Sequence, residues 1–146
     1  MKRIFVSLLF MLAVGLTTAL ADNKTDVNSK IKQSFKKEFT AAEFVSWDEV
    51  GNYRIARFVF HDHAAIAYFT EDGELLGSAR TILFNQLPIA VIKSFEKNFD
   101  GANFIEVSEI SNMEGTSYVI KAETRNKLYH VKLNANGNIL DSFRIK

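Results

Sequence analysis

The residues best suited to chemistry are three consecutive ones, His61-Asp62-His63. Imidazole and carboxylate groups are common ligands of Zn²⁺ and Cu²⁺. In an extended strand, residues two apart share a face, so His61 and His63 would supply two ligands and need more from elsewhere. A polar turn between two apolar runs explains the same cluster, and no sequence argument brings His130 to it. We therefore keep His61 and His63 as candidates for a metal site and predict no cofactor.

Common catalytic signatures are absent from the sequence. It has no G-x-S-x-G turn for a serine nucleophile, no phosphate-binding loop and no dinucleotide fingerprint. Because there is no Cys, thiol nucleophiles and thiolate metal sites are excluded. The carboxylates Asp48, Glu49 and Glu109 are scattered on predicted strands without the pairing that a glycosidase needs. We predict that the protein is not an enzyme.

Four side chains suit recognition of another protein: Trp47, Tyr53, Arg57 and Tyr68. Trp, Tyr and Arg are enriched among the residues that dominate binding energy at protein interfaces. A place in the core or on a covered sheet face is the alternative for Trp47. We predict that these four residues form a candidate partner-binding surface.

The N-terminal segment has the organisation of an export signal. A basic pair, Lys2-Arg3, precedes the apolar run Ile4–Leu16, and residues 17–21 end in an A-x-A cleavage pattern. The apolar run is shorter than the roughly 20 residues that span a bilayer, although an N-terminal anchor is the alternative. We predict cleavage after Ala21 and an exported protein, periplasmic or secreted, without a stable membrane anchor.

The composition of the remaining chain indicates one domain. Removing 21 of the 146 residues leaves 125, enough for a full core. It also leaves 16 basic and 17 acidic side chains, a formal charge of −1. This near-neutrality argues against nucleic acid as a partner. Without disulfides the fold must depend on apolar burial, and the chain has 13 Phe to contribute.

Hydrophobic periodicity predicts two helices. Residues 27–39 carry an apolar side chain at every fourth position and follow Asp26, a suitable N-cap. The second helix lies in 87–104. It begins with Pro88, which suits a first helical turn, and stops at Asp100-Gly101, where Gly can take the left-handed conformation.

Alternating patterns predict four strands after each helix. Asp72-Gly73 and Asn136-Gly137 are strong hairpin signals, because these residues accept positive φ. Residues 111–117 are predicted to form a long loop. The expected strands are 43–50, 53–61, 64–70, 74–80, 103–110, 117–124, 128–133 and 139–145.

The two halves of the chain repeat each other. At an offset of 60, seven of the 24 residues in 27–50 are identical to their counterparts: Ser34, Phe35, Lys37, Phe39, Ala42, Phe44 and Glu49. An offset of 65 then matches Tyr53 with Tyr118, and an offset of 64 matches Arg80 with Arg144. We predict that these two arginines form structural ion pairs, with recognition of a ligand as the alternative. The predicted fold is α+β, with two tandem helix-plus-antiparallel-sheet units, about 27–84 and 87–146, in a single domain over 22–146.

The order of certain residues along both halves matches the pattern of a known family. In the second half these residues are Leu87, Pro88, Val91, Phe95, Phe99, Gly101, Ala102, Phe104, Tyr118, Ile120, Gly137 and Leu140. In the first half they are Phe39, Ala42, Phe44, Trp47, Tyr53, Ala67-Tyr68-Phe69, Gly73 and Arg80. This order resembles that of the β-lactamase-inhibitor-like, PepSY-like family of small exported bacterial proteins, and nearly all of residues 22–146 take part. The resemblance implies a tandem helix-plus-sheet fold, a place in the cell envelope or outside the cell, and a protein-binding, inhibitor-like role.

Two functional hypotheses follow from the sequence. The first is an exported, noncatalytic protein-binding module with an inhibitor-like role, whose partner is another envelope or extracellular protein. The second is an envelope protein that binds a small ligand or metal ion, in a cleft between the two units or at His61 and His63.

Overall fold

The computed structural model describes residues 27–145. The predicted export signal, residues 1–21, lies outside this range. The elements, in chain order, are α1 (Ser29–Glu38), β1 (Ala42–Val50), β2 (Tyr53–Phe60), β3 (His63–Thr70), β4 (Leu75–Thr81), a 3₁₀ turn (Phe84–Gln86), α2 (Ile89–Asn98), β5 (Asn103–Asn112), β6 (Gly115–Thr124), β7 (Lys127–Asn134) and β8 (Ile139–Ile145). Neither helix in residues 27–145 is long and apolar enough to cross a membrane.

The eight strands form one antiparallel sheet in which each strand pairs with the next along the chain. β4 and β5 pair from Gly77 opposite Asn112 to Thr81 opposite Ser108. The prediction of two tandem helix-plus-sheet units is therefore wrong, because the sheet is continuous. Two separate four-stranded units would leave the facing edges of β4 and β5 with unpaired backbone N–H and C=O groups, and pairing them satisfies these groups.

Both helices form where the sequence predicts them, with small changes at their starts. The side chain of Asn28, rather than that of Asp26, caps α1 by accepting a hydrogen bond from the Ile31 amide at 3.2 Å. Ile31 and Phe35 are the buried residues of α1, whereas Val91 and Phe95 are those of α2. Each helix thus buries two residues that lie about one turn apart on the same side, which fixes it against the sheet.

The two helices pack on the same face of the sheet. Residues directly opposite each other on paired strands share a face, and one such row contains Phe58, Ala65, Arg80, Glu109 and Tyr118. Phe58 belongs to the apolar cluster around α1, and Tyr118 belongs to the cluster around α2. The ion-pairing residues Arg80 and Glu109 lie between these clusters.

Tight turns connect most strands. His61-Asp62 and Arg125-Asn126 have φ values of 48° to 64°, the positive values that two-residue hairpin turns require. The predicted long loop 111–117 is wrong, since β5 extends to Asn112 and β6 starts at Gly115. This hairpin is therefore longer by two residues on each strand than the β1–β2 hairpin.

Strand pairing corrects the alignment of the two halves. Glu49 lies opposite Arg54, and Glu109 lies opposite Tyr118, so the counterpart of Tyr118 is Arg54. The predicted offset of 65 for β2 is therefore wrong, and an offset of 64 applies from β2 onward. The four residues added in the β5–β6 hairpin account for the change from 60 to 64.

Candidate functional site

No described helix covers the sheet face opposite α1 and α2, which we call the open face. Its centre is apolar and buried, with side chains that are at most 7% exposed. These side chains come from five consecutive strands, β2 to β6, so the strip crosses the β4–β5 pairing. The central residues are Ile55, Tyr68, Ala79, Ile110 and Val119.

Arg57 lies on the open face beside this apolar strip. Its Nε donates a hydrogen bond to Asp48 Oδ2 at 2.7 Å, and the two side chains are 31% and 51% exposed. An exposed pair of this kind contributes at most about 1 kcal/mol to stability. Its main effect is to hold the guanidinium group of Arg57 in one direction, with part of it accessible to a partner.

Tyr68 occupies the middle of the same face. Burial raises the pKa of its hydroxyl group to about 12, and the nearby positive charge of Arg57 partly offsets this rise. The hydroxyl group is therefore neutral at physiological pH. Because the side chain is only 3% exposed, most of its ring supports the face from within rather than reaching out from it.

Tyr53 begins β2 and is half-buried on the open face, opposite Val50 of β1 and Thr70 of β3. The alternation along β2 places it on the same side as Arg57. The structure therefore brings three of the four predicted binding residues, Tyr53, Arg57 and Tyr68, to one surface.

Trp47, the fourth predicted binding residue, lies on the helix-covered face. Its ring centroid is 5.3 Å from that of Phe35 in α1 and 6.0 Å from that of Phe69 in β3. It is half-buried and packs against the cluster around α1. Trp47 consequently belongs to a different surface from Tyr53, Arg57 and Tyr68.

A pocket of about 480 Å³ opens between α1 and the edge strand β1. Aromatic rings of Phe35, Phe39 and Trp47 line it, and Lys32 and Lys36 bring two positive charges to it. None of the described residues that line the pocket carries a carboxylate. The arrangement suits a ligand with an apolar part and a negative charge.

The two metal candidates stand at the β2–β3 turn. His61 has a φ of 48°, and its ring centroid is 4.4 Å from that of Phe60. Among residues 27–145, no group of three or more His, Cys, Asp or Glu side chains converges as a metal site would require. His61 and His63 therefore find no third ligand in the part of the chain that is described.

The scattered carboxylates are in fact paired with arginines. Besides the Asp48–Arg57 pair, Glu49 lies 3.2 Å from Arg54, and Glu109 lies 2.9 Å from Arg80. Each pair joins neighbouring strands, so the partners are adjacent only once the strand register is known. These are ion pairs rather than the paired carboxylates that a glycosidase needs, and the predicted structural ion pair of Arg80 is confirmed.

Glu109 also binds a second group. Burial raises the pKa of the Tyr118 hydroxyl group, and the charge of Glu109 and a hydrogen bond with its carboxylate raise it further. Arg80, Glu109 and Tyr118 thus form a polar row across three strands between the two helices. Arg144, the sequence counterpart of Arg80, forms no ion pair within residues 27–145.

His130 is a buried residue of the open face that sequence reasoning did not select. It lies between Lys121 of β6 and Phe143 of β8, with its ring centroid 5.3 Å from that of Phe143. Its Nδ1 atom is buried and has no hydrogen-bond partner among the described residues. Burial, together with the charge of Lys121, lowers the pKa of the imidazole.

The fold is similar to that of several solved Bacteroides proteins. A BLIP-like protein from Bacteroides fragilis superposes with a TM-score of 0.74 at 20% identity, covering 81% of this chain and 86% of that one. A DUF2874 family protein from Bacteroides uniformis has a TM-score of 0.76 at 16% identity, with 80% and 88% covered. A proposed periplasmic protein from Bacteroides eggerthii has a TM-score of 0.77 at 20% identity, with 82% and 89% covered.

These structures confirm the predicted resemblance to β-lactamase-inhibitor-like proteins at the level of the fold. The identities are low, so the likeness concerns architecture rather than any particular activity. No protein-family model and no curated protein matches the sequence.

Proposed function

We propose that the protein is an exported, noncatalytic binding module that holds another envelope or extracellular protein against its open face. The observation that carries this proposal is the open face itself, on which Tyr53 and Arg57 flank a continuous apolar strip. Tyr53 and Arg57 are partly exposed members of this face, and Tyr and Arg are enriched among the residues that dominate interface energy. The Asp48–Arg57 pair fixes the guanidinium group in advance, which reduces the entropy lost on binding.

The similar structures support the same kind of function. One of the proteins with this fold is described as BLIP-like, and another as periplasmic. We extend the proposal to an inhibitor-like role. In this role the protein covers a surface of its bound partner and so blocks the partner's activity by steric occlusion. Cleavage of the export signal after Ala21, leaving 22–146 as one domain, is part of the proposal.

The test is affinity capture from envelope and culture fractions with the purified exported protein. We expect Tyr53→Ala and Arg57→Ala each to reduce recovery of a specific partner at least about tenfold, the effect of losing an interface residue worth ~1.4 kcal/mol. Lys93→Ala, an exposed residue of α2 on the other side of the molecule, is the control and should recover the wild-type amount. Equal recovery by all variants would contradict binding through the open face.

The pocket between α1 and β1 favours a second candidate function, binding of a small amphipathic anion. Lys32 and Lys36 would neutralise its charge, while Phe35, Phe39 and Trp47 would contact its apolar part. Medium-chain carboxylates are suitable probes, and quenching of Trp47 fluorescence is the readout. We expect a saturable change that Lys32→Ala with Lys36→Ala weakens. If a neutral alcohol of equal length binds as well as the acid, charge recognition is excluded.

A further inference from the structure

The pairing of β4 with β5 joins the last strand of the first half of the sheet to the first strand of the second half. Arg80 Nε donates to Glu109 Oε1 at 2.9 Å on the helix-covered face. On the open face, Ala79 of β4 lies opposite Ile110 of β5, and both are buried. An ion pair on one side and an apolar pair on the other therefore fix this register.

The free edge of β8 carries the counterparts of the β4 residues. Ala65 of β3 lies opposite Arg80 of β4, and its counterpart in the second half, Tyr129 of β7, lies opposite Arg144 of β8. The register of β8 against β7 is therefore the same as that of β4 against β3. Ser142 and Arg144 occupy the places of Ser78 and Arg80. The outer edge of β8 is thus built like the edge of β4 that pairs with β5.

The free edge of β1 carries the counterparts of the β5 residues. Glu49 and Val50 occupy the places of Glu109 and Ile110. Both strands contain an irregularity at the equivalent place, between Glu43 and Ser46 in β1 and between Phe104 and Glu106 in β5. The outer edge of β1 is therefore built like the edge of β5 that receives β4.

Within residues 27–145, no strand pairs with the outer edge of β1 or of β8, and both edges are partly apolar. Every residue of β8 except the last is exposed, including Phe143 at 40%. On β1, Val50 is 49% exposed. Glu49 contacts Arg54 on its inner side, the place that Tyr118 has beside Glu109, and no described residue takes the place of Arg80 on its outer side.

We propose that β8 of one copy of this protein pairs with β1 of a second copy, repeating the β4–β5 pairing between molecules. In this arrangement Arg144 faces Glu49 of the second copy, and Phe143 faces its Val50. The sheet then continues from one molecule into the next, with all helices on one face. Such a head-to-tail contact produces either a closed ring or an open chain of copies with one free edge at each end. This proposal does not depend on the proposed function of the open face.

Unpaired N–H and C=O groups provide the backbone part of the contact. The charged pair provides its specificity, because like charges directly opposite each other are unfavourable. The same charged pair gives a test. Reversing one of its charges should abolish association, and mixing with the variant that carries the opposite reversal should restore it.

Sedimentation velocity over a wide concentration range measures the association. We expect the weight-average sedimentation coefficient of the wild-type protein to rise with concentration. Glu49→Arg alone and Arg144→Glu alone should remain monomeric. An equimolar mixture of these two variants should associate again, since the two reversed charges attract each other at one contact and the wild-type charges meet at the next. Glu114→Arg and Lys93→Glu, exposed charge reversals away from both edges, should associate like the wild type.

Val50→Lys is a second, independent variant, because an edge lysine opposes strand addition without removing a buried group. We expect it to be monomeric with an unchanged circular dichroism spectrum. A wild-type protein that stays monomeric up to millimolar concentration would overturn the proposal. Association that survives both charge reversals and Val50→Lys would also overturn it, since the contact would then lie elsewhere.

Discussion

At the scale of single residues, His130 combines burial with an unpartnered ring nitrogen. Its Nδ1 atom finds no hydrogen-bond partner in the described chain, and Lys121 lies opposite it on β6. Protonation would place a second positive charge beside this lysine in a buried position, which explains why the pKa of the imidazole is lowered. Folding is therefore coupled to the neutral form of this side chain.

The sign of the resulting pH dependence follows from this lowered pKa. Below the ordinary value of 6.5, the unfolded chain binds a proton at His130 that the folded chain does not bind. This contribution to stability is fully present above pH 6.5 and is lost as the pH falls toward the folded-state pKa. We expect His130→Leu to lose less stability than the wild type between pH 7.5 and pH 5, as measured by urea denaturation. His63→Gln serves as the control, and an equal pH slope in His130→Leu and wild type would contradict the prediction.

Residue roles were predictable from the sequence where they depend on alternation within one strand. Tyr53 and Arg57 are two apart from Ile55 in β2, and the structure places all three on the open face. Trp47 illustrates the limit. Its face follows from its position opposite Ala56, which depends on the register of β1 against β2 and not on alternation within β1 alone.

At the scale of elements, two turn glycines set the distance between helix and sheet. Gly73 and Gly137 both have φ near 85°, and each lies directly beneath a helix. A Cβ atom on Gly73 would come within 3.3 Å of the backbone of Lys30 in α1. At Gly137 the fit is closer still, with a Cβ atom 2.3 Å from the carbonyl oxygen of Ala90 in α2.

Replacing Gly137 therefore tests the contact between the last hairpin and α2. We expect Gly137→Ala to reduce the free energy of unfolding by more than the ~1–2 kcal/mol that a left-handed conformation costs an L-residue, because α2 must also move. Gly51→Ala is the matched control, since its φ is 57° and no neighbouring atom lies within 4 Å of the added Cβ. Equal losses in a urea titration would show that backbone conformation alone explains the effect.

Turns were predictable where their residue types have few alternatives. Asp72-Gly73 and Asn136-Gly137 were identified from composition, since Gly accepts positive φ without strain. The β5–β6 turn at Met113-Glu114 was missed because neither residue is typical of a tight turn. The polar stretch around it, from Ser111 to Ser117, is typical of a loop, although it forms paired strand.

At the scale of the whole molecule, the open-face cluster ties the two halves together. Ile55 and Tyr68 lie in the first half, Ile110 and Val119 in the second, and Ala79 between them on β4. Neither half can unfold without exposing part of this cluster and breaking the β4–β5 ladder. The continuous sheet therefore predicts one cooperative unit rather than two.

We expect both halves to unfold in a single transition. The one Trp, Trp47, reports the environment of α1 and β1 by fluorescence. Amide signals of β7, followed by NMR in the same urea series, report the other half. Their midpoints should coincide, whereas a β7 transition separated from that of Trp47 fluorescence would show that the halves unfold independently.

The existence and order of the helices and strands were predictable, but their assembly into one sheet was not. Alternation shows that β4 and β5 are strands, yet it carries no information on which edges meet. The pair Arg80–Glu109 spans 29 residues of sequence and acquires meaning only after β4 and β5 are adjacent. The repeat in the sequence suggested two tandem helix-plus-sheet units because both copies contain all four strands.

Nearest-neighbour pairing of all eight strands has a consequence for the speed of folding. Contacts between strands that follow each other along the chain close short loops, which keeps the contact order low for a β-rich protein. The positive-φ turns at His61-Asp62 and Arg125-Asn126 can bring their flanking strands together early, since hairpins form in about 1–10 μs. The joining of β4 to β5 must wait until the intervening α2 segment has folded back. That single long-range step is where we expect the folding barrier to lie.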